Sequence, residues 1–291
     1  MPSNPDPGPS PSPRSSSPIV NPRADTNTIA SPATSSASIA SYQKYDDIAD
    51  EDHRLGKYYI SRDRLQNIKA SEVKILSTPY DNDNSAVCIV EIRGITCAMK
   101  VHHGQRPGDA ELKDYFLDEL TAYRRLKNRG FCERGTIPDI YGVVLNMKPQ
   151  DWPECEIYYR PGTYMMPVNA ILLENVEKMQ SLTMENYTPA RMEKWRDLIK
   201  EFHAVDVTHG DIYPRNMMFV PAEDGKPERV LWLDFESGYY GEIGSEDFWD
   251  DLHRRGREDE AVRMDDFVRL IAINTTEHNR QPVRTKYRWL Y

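Results

Sequence analysis

The sequence predicts an α+β fold in two lobes: a small antiparallel β-sheet lobe with one helix, then a reduced, mainly helical lobe. Three observations lead there. Alternating β-branched runs crowd into residues 71–102, and segments of helical period follow at 109–129, 189–205 and 258–273. A leader of quite different composition precedes them all. At 291 residues with 39% hydrophobic side chains, the chain is long enough for one large domain or two small ones with a sizeable core.

The leader is residues 1–42, which hold nine of the 21 prolines and 11 serines. Such a mix buries too little apolar surface to offset chain entropy, so it reads as a disordered tail ahead of a folded domain over 43–291. Ser10, Ser12, Ser17 and Ser31 each precede a proline, and this follows from composition before it implies a kinase target. Arg14 and Arg23 balance Asp6 and Asp25, so the net charge of −9 belongs to the folded part. That charge argues against a nucleic-acid partner. No apolar run approaches the roughly 18–20 residues of a membrane span, and the N-terminus carries no secretory pattern. Cys88, Cys97, Cys132 and Cys155 form no Cys-x-x-Cys pair and read as reduced thiols, in a cytoplasmic or nuclear protein.

The elements follow in order. Ser71–Thr78 alternates, a polar turn spans Pro79–Ser85, and Val87–Arg93 is a second strand. Gly94 turns the chain into a third strand, Ile95–His102. Asp109–Arg129 places Leu112, Tyr115, Phe116, Leu120, Tyr123 and Leu126 on one helical face, with Gly130 as a stop. Ile140–Leu145 and Ala170–Val176 are two further strands around an insertion at 148–169 rich in Pro, Trp and Tyr. Pro189 starts a helix to about Val205 with Met192, Trp195, Leu198, Ile199 and Phe202 on one face. A polar loop, the strand pair 217–220 and 230–235, an acidic loop at Glu242–Asp251 and a last helix at Glu258–Ile273 complete the order, before a basic end (RTKYRWLY). The lobes divide at about 70–173 and 177–275.

The chemistry concentrates in His209-Gly210-Asp211-Ile212-Tyr213-Pro214-Arg215-Asn216, of the form His-x-Asp-x-x-x-x-Asn, with Asp234 at the end of an apolar strand 18 residues later. Phosphoryl transfer from ATP needs one carboxylate to take the proton of the acceptor hydroxyl, and an amide oxygen with a second carboxylate to hold Mg²⁺ on the phosphates. Asp211, Asn216 and Asp234 fill those roles in that order. Upstream, Cys97-Ala98-Met99-Lys100 has the form of Val-Ala-Ile-Lys, which puts Lys100 in reach of the α- and β-phosphates. Glu119 lies mid-helix where it can pair with Lys100. Leu172–Val176 ends an apolar strand where the backbone of Glu174 and Val176 can meet an adenine edge. His209 has a structural, orienting role.

With these residues the chain resembles the protein-kinase-like superfamily. HGDIYPRNMM and LWLDFE look closer to the aminoglycoside and choline phosphotransferase branch than to protein kinases, and the wider pattern is similar to small fungal kinase-like proteins. The resemblance covers about 70–275 and implies a bilobal ATP- and Mg²⁺-binding phosphotransferase, with Lys100, Glu119, Asp211, Asn216 and Asp234 at its site and a hydroxyl-bearing protein or small molecule as acceptor. Three departures stand beside it. The first hairpin has no glycine-rich turn, and two aspartates there would repel phosphates. Gly210 replaces the usual Arg of the loop, and Glu236, read here as a turn residue rather than a spare metal ligand, replaces the Gly after Asp234-Phe235. The missing glycines motivate an alternative, a pseudokinase acting as a nucleotide-binding or interaction module.

Overall fold

A computed structural model describes residues 63–81, 85–103, 114–148, 150–153, 168–223, 225–240 and 248–276. The tail at 1–42, the tip of the first turn (82–84), the start of the first helix (109–113), most of the insertion with Cys155, the acidic residues 242–247 and the basic end lie outside them.

The first lobe is one antiparallel sheet of strands β1 (Val73–Asp81), β2 (Ser85–Ile92), β3 (Ile95–His102), β4 (Ile140–Met147) and β5 (Val168–Glu174). Their order across the sheet is β1-β2-β3-β5-β4. The predicted third strand has the observed bounds. The first begins two residues late and runs on to Asp81, so Pro79–Asp81 are strand rather than turn. Asp81 still pairs with Ala86 across the hairpin, which extends the ladder into the polar segment. Period-two alternation sends Cys97, Met99 and Val101 into a core with Cys88, Val90 and Leu172. Lys100 and His102 go to the opposite face. That core also takes in Leu65, whose N–H donates to the carbonyl of Tyr141 at 2.8 Å, so the lobe's packing begins ahead of residue 70. Burial raises the thiol of Cys97 to about 11 and that of Cys132 to about 12, which leaves both inert at neutral pH.

Helix α1 (Tyr115–Asn128) is capped by Asp114, whose side chain accepts from the N–H of Leu117 at 3.2 Å. It is buried on nearly every side because it packs on β4 and β5 and also on the short pair β7 (Val207–Thr208) and β10 (Tyr239–Tyr240). Gly130 follows it at φ +80°, where the predicted stop requires a residue without a β-carbon.

The second lobe holds α2 (Pro189–His203), with Pro189 at its first position and Thr188 accepting from the N–H of Arg191. Strands β6 (Gln180–Ser181), β8 (Met217–Val220) and β9 (Arg229–Trp232) form a three-stranded sheet in the order β6-β8-β9. Trp195 and Trp232 bind α2 to β9: the indole of Trp195 donates to the carbonyl of Leu231, and that of Trp232 donates to the carbonyl of Trp195. The last helix, α3 (Phe248–Thr276), starts ten residues before its predicted Glu258, so Phe248–Asp251 of the expected acidic loop are helical. Strand β9 ends at Trp232, two residues short of Asp234. Among the described residues no helix is long and apolar enough to cross a membrane.

Candidate active site

Two separate segments, α1 and the turn after β9, bring three carboxylates to Lys100, which is 7% exposed. Its Nζ lies 2.8 Å from Glu119 Oε2 on α1, 2.7 Å from Asp234 Oδ1 and 3.2 Å from Glu236 Oε2. The β3 alternation aims Lys100 at α1, and Glu119 is on the helical turn that faces it. Burial alone would depress the ammonium, but the carboxylates of Glu119, Asp234 and Glu236 outweigh it and hold Lys100 well above its ordinary value. For Asp234, burial pushes the carboxyl up, and the adjacent Lys100 charge and hydrogen bond bring it below the usual range. Glu236 is raised, first by burial and then by its acidic neighbours. The turn reading of Glu236 is therefore incomplete: it sits in a turn, but its side chain is only 13% exposed and faces the lysine.

Asp234 has φ +66°, a left-handed conformation that a non-glycine residue adopts at a cost of roughly 1–2 kcal/mol. The backbone on either side holds it there. The N–H of Leu233 donates to the carbonyl of Asn216 at 3.0 Å, and Phe235 is fully buried against His209, Tyr123 and Phe202. These contacts join the Asp234 segment to the loop that carries Asp211 and Asn216.

In that loop, the side-chain amide of Asn216 donates to the backbone carbonyl of Asp211 at 2.9 Å and to its Oδ2 at 2.8 Å. With its nitrogen so engaged, Asn216 offers its amide oxygen. Arg215 grips both oxygens of Asp211 at 2.9 and 2.7 Å and lies over the ring of Tyr213. This exposed guanidinium was not among the residues singled out from the sequence. His209 is fully buried, with Nε2 2.9 Å from the carbonyl of Leu233 and Nδ1 3.3 Å from the amide nitrogen of Asp211. A carbonyl only accepts, so Nε2 carries the proton and Nδ1 accepts from Asp211 N–H. Burial lowers its pKa and keeps this neutral tautomer. The expected orienting role of His209 has this geometry.

The loop's main anchor is Glu260 on α3, 0% exposed. Its Oε1 accepts from Gly210 N–H at 2.6 Å, and its Oε2 accepts from His209 N–H at 3.1 Å and from His203 Nε2 at 2.7 Å. Burial pushes this carboxyl up, but the His203 hydrogen bond, the nearby histidines and the Gly210 amide more than offset it and hold it below its usual range. The sequence carried a signal for it: Glu260 stands in the stripe of Met264, Phe267 and Ile271, all buried, where an acid is out of place. Gly210 has φ +81°, and a β-carbon there would sit 2.0 Å from the carbonyl oxygen of Ser237. The loop needs glycine at the position where related loops carry Arg.

At the end of β5, the N–H of Glu174 donates to the carbonyl of Asp139 at 2.7 Å. One of the backbone groups expected to meet an adenine edge is thereby already engaged. The Glu174 side chain is otherwise committed. It meets Arg229 at 2.6 and 2.8 Å and accepts from the Asp139 N–H, and against the opposing effect of burial these bonds lower its pKa.

The α+β architecture, an antiparallel sheet with a few helices, is that of a kinase-like fold. Residues 167–279, about two-fifths of the chain, match the model of the lipopolysaccharide kinase (Kdo/WaaP) family, and this stretch is similar to that family, which lies within the protein-kinase-like superfamily. The matched stretch runs from β5 into the residues after α3 and holds His209, Asp211, Asn216, Asp234 and Glu260. Lys100 and Glu119 lie ahead of it. A comparison with curated proteins finds no match.

Proposed function

We propose that this protein is an ATP- and Mg²⁺-dependent phosphotransferase that moves the γ-phosphoryl group of ATP to a hydroxyl, on a protein Ser/Thr or on a small molecule. The observation that carries the reading is Lys100 held between Glu119 at 2.8 Å and Asp234 at 2.7 Å, with Asp234 joined through Leu233 to the Asp211–Asn216 loop. Lys100 would bind the α- and β-phosphates and Glu119 would hold it in place. Asp211 would take the proton of the acceptor hydroxyl as its oxygen bonds to the γ-phosphorus and the bond to the leaving ADP oxygen breaks. The backbone of Glu174 and Val176 would meet the adenine.

The donor set suits Mg²⁺. Asn216 presents an amide oxygen because its nitrogen is engaged by Asp211, and Asp234 contributes a carboxylate of which one oxygen meets Lys100. Hard oxygen ligands of this kind hold Mg²⁺ together with substrate phosphates, where the ion supplies charge neutralisation. The folded domain would span 43–291 behind a tail at 1–42, in the cytoplasm or nucleus.

The test is calorimetric titration of the full chain with ATP, with and without Mg²⁺. The expected result is micromolar binding that requires Mg²⁺ and is lost in Asp234→Ala, while Asp211→Asn keeps the binding and loses roughly 10²–10⁴-fold in transfer rate. Absence of binding up to millimolar ATP would overturn the enzyme in favour of a pseudokinase that works as an interaction module.

A further inference from the structure

A second cluster of metal-ligand type, His102, Glu119 and Glu236, lies beside Lys100 and involves neither Asn216 nor Asp234. His102 follows Lys100 by two residues and so shares its face of β3. The ring of His102 stands edge-on to Phe116 of α1, one turn before Glu119. One ligand atom from each of His102, Glu119 and Glu236 lies within 4.8 Å of the other two.

The polar atoms of this cluster are incompletely used. His102 is 4% exposed and Glu119 1%. The ring nitrogen Nε2 of His102 comes within 3.0 Å of Glu119 Oε2 but out of line for a hydrogen bond, and neither ring nitrogen has a hydrogen-bond partner among the described residues. Oε1 of Glu119 has none either, while Glu119 Oε2 and Glu236 Oε2 have the Lys100 ammonium as ion-pair partner at 2.8 and 3.2 Å. Buried polar groups normally find partners, so a buried imidazole with neither nitrogen engaged, facing a buried carboxylate with one oxygen unused, is a demand for something between them. Charge makes the same demand: one ammonium, Lys100, faces the carboxylates of Glu119, Asp234 and Glu236.

We infer that His102, Glu119 and Glu236 form a binding site for a divalent transition-metal ion of the zinc or manganese kind. One imidazole nitrogen and two carboxylate oxygens suit such ions, whereas Mg²⁺ prefers an all-oxygen shell that keeps its waters. The ion would supply the missing partner of His102 and offset the excess of carboxylates. Glu119 Oε2 is also the atom that meets Lys100, so ion and lysine compete for it. Occupancy therefore releases Lys100 from α1. The site itself does not depend on phosphotransfer by this protein.

The test is titration of metal-stripped full chain with Zn²⁺ and with Mn²⁺, without nucleotide, by calorimetry, with Mg²⁺ as comparison. The expected result is one Zn²⁺ or Mn²⁺ per chain, bound at least tenfold more weakly in His102→Gln and in Glu236→Gln, and unchanged in Asn216→Ala. Circular dichroism reports whether each variant folds. Should His102→Gln fail to fold, Glu236→Gln, a near-isosteric change at a partly accessible side chain, decides alone. No binding by the wild type, or binding that survives Glu236→Gln unchanged, overturns the inference. Loss in Asn216→Ala alone overturns it too, because the ion would then sit at the proposed Mg²⁺ site. ATP binding in the presence of Mg²⁺ is scored separately and fails or succeeds on its own.

Discussion

Replacing Glu260 by alanine removes a carboxylate that accepts from Gly210 N–H at 2.6 Å, His209 N–H at 3.1 Å and His203 Nε2 at 2.7 Å, all at a position with 0% exposure. A hydrogen bond to a charged group contributes about 1.5–3 kcal/mol, and the three here share one acceptor group, so they do not add. Stripping one partner from a buried charged network costs about 3–5 kcal/mol, against a total stability of about 5–15 kcal/mol for a domain. The loss falls first on the loop from His209 to Asn216, whose amides lose their anchor. Urea unfolding is therefore expected to shift by about 3 kcal/mol or more, and hydrogen exchange at the His209 and Gly210 amides to accelerate by roughly a hundredfold or more. Glu258→Gln on the same helix is the control: Glu258 is 61% exposed and pairs with Arg254 at the surface, where such a change is worth less than about 1 kcal/mol. Wild-type exchange at His209 and Gly210 in Glu260→Ala, with unfolding unchanged to within about 0.5 kcal/mol, would refute the anchoring argument.

Other outcomes follow from the same geometry. Gly210→Ala puts a β-carbon 2.0 Å from the Ser237 carbonyl at φ +81°, so it should separate the Asp234 segment from the loop; ATP binding as tight as wild type would contradict this. Burial keeps His209 neutral and its pKa below the ordinary value, while in the unfolded chain the imidazole takes up a proton near pH ~6.5. Its contribution is complete above that pH and is lost as the pH falls toward the lower folded value, because there the unfolded state binds more protons. The slope reaches at most about 1.4 kcal/mol per pH unit, and urea midpoints across this range should fall less steeply in His209→Gln; identical slopes would sink the assignment. Arg229→Met breaks the clasp on Glu174 at 2.6 and 2.8 Å and on the carbonyls of Gly135 and Ile137, for an expected loss of about 1–3 kcal/mol in thermal or urea unfolding.

Much of the fold was legible because it rests on local periodicity. The alternation in Ile95–His102 and the apolar stripe from Met192 to Phe202 are properties of a few consecutive residues, and both elements stand where the pattern puts them. Helix α3 began earlier than expected because its first turns hold few apolar residues after Leu252 and carry Gly256, a weak helix former, just ahead of Glu258. The two-residue strands β7 and β10 carry no periodicity of their own. They exist because Tyr239 and Tyr240 meet Thr208 and Val207 after the chain has passed through the Asp234 turn.

The site divides along the same line. Residue type and spacing named Lys100, Glu119, Asp211, Asn216 and Asp234 as a set, since phosphate chemistry restricts which side chains serve and in what order. The partners of that set depend on distances between segments far apart in the chain. Glu260 reaches Gly210 across 50 residues, Glu236 reaches Lys100 across more than a hundred, and His102 faces Glu119 from another element. A buried carboxylate looks like any other glutamate until packing removes its water. The sequence by itself therefore determined the fold class and the kind of chemistry, whereas the tertiary structure alone decided what holds the loop, why its second residue is glycine and which buried groups are left wanting a partner. Periodicity and motif spacing are written along the chain, but desolvation and contact arise only once it has folded.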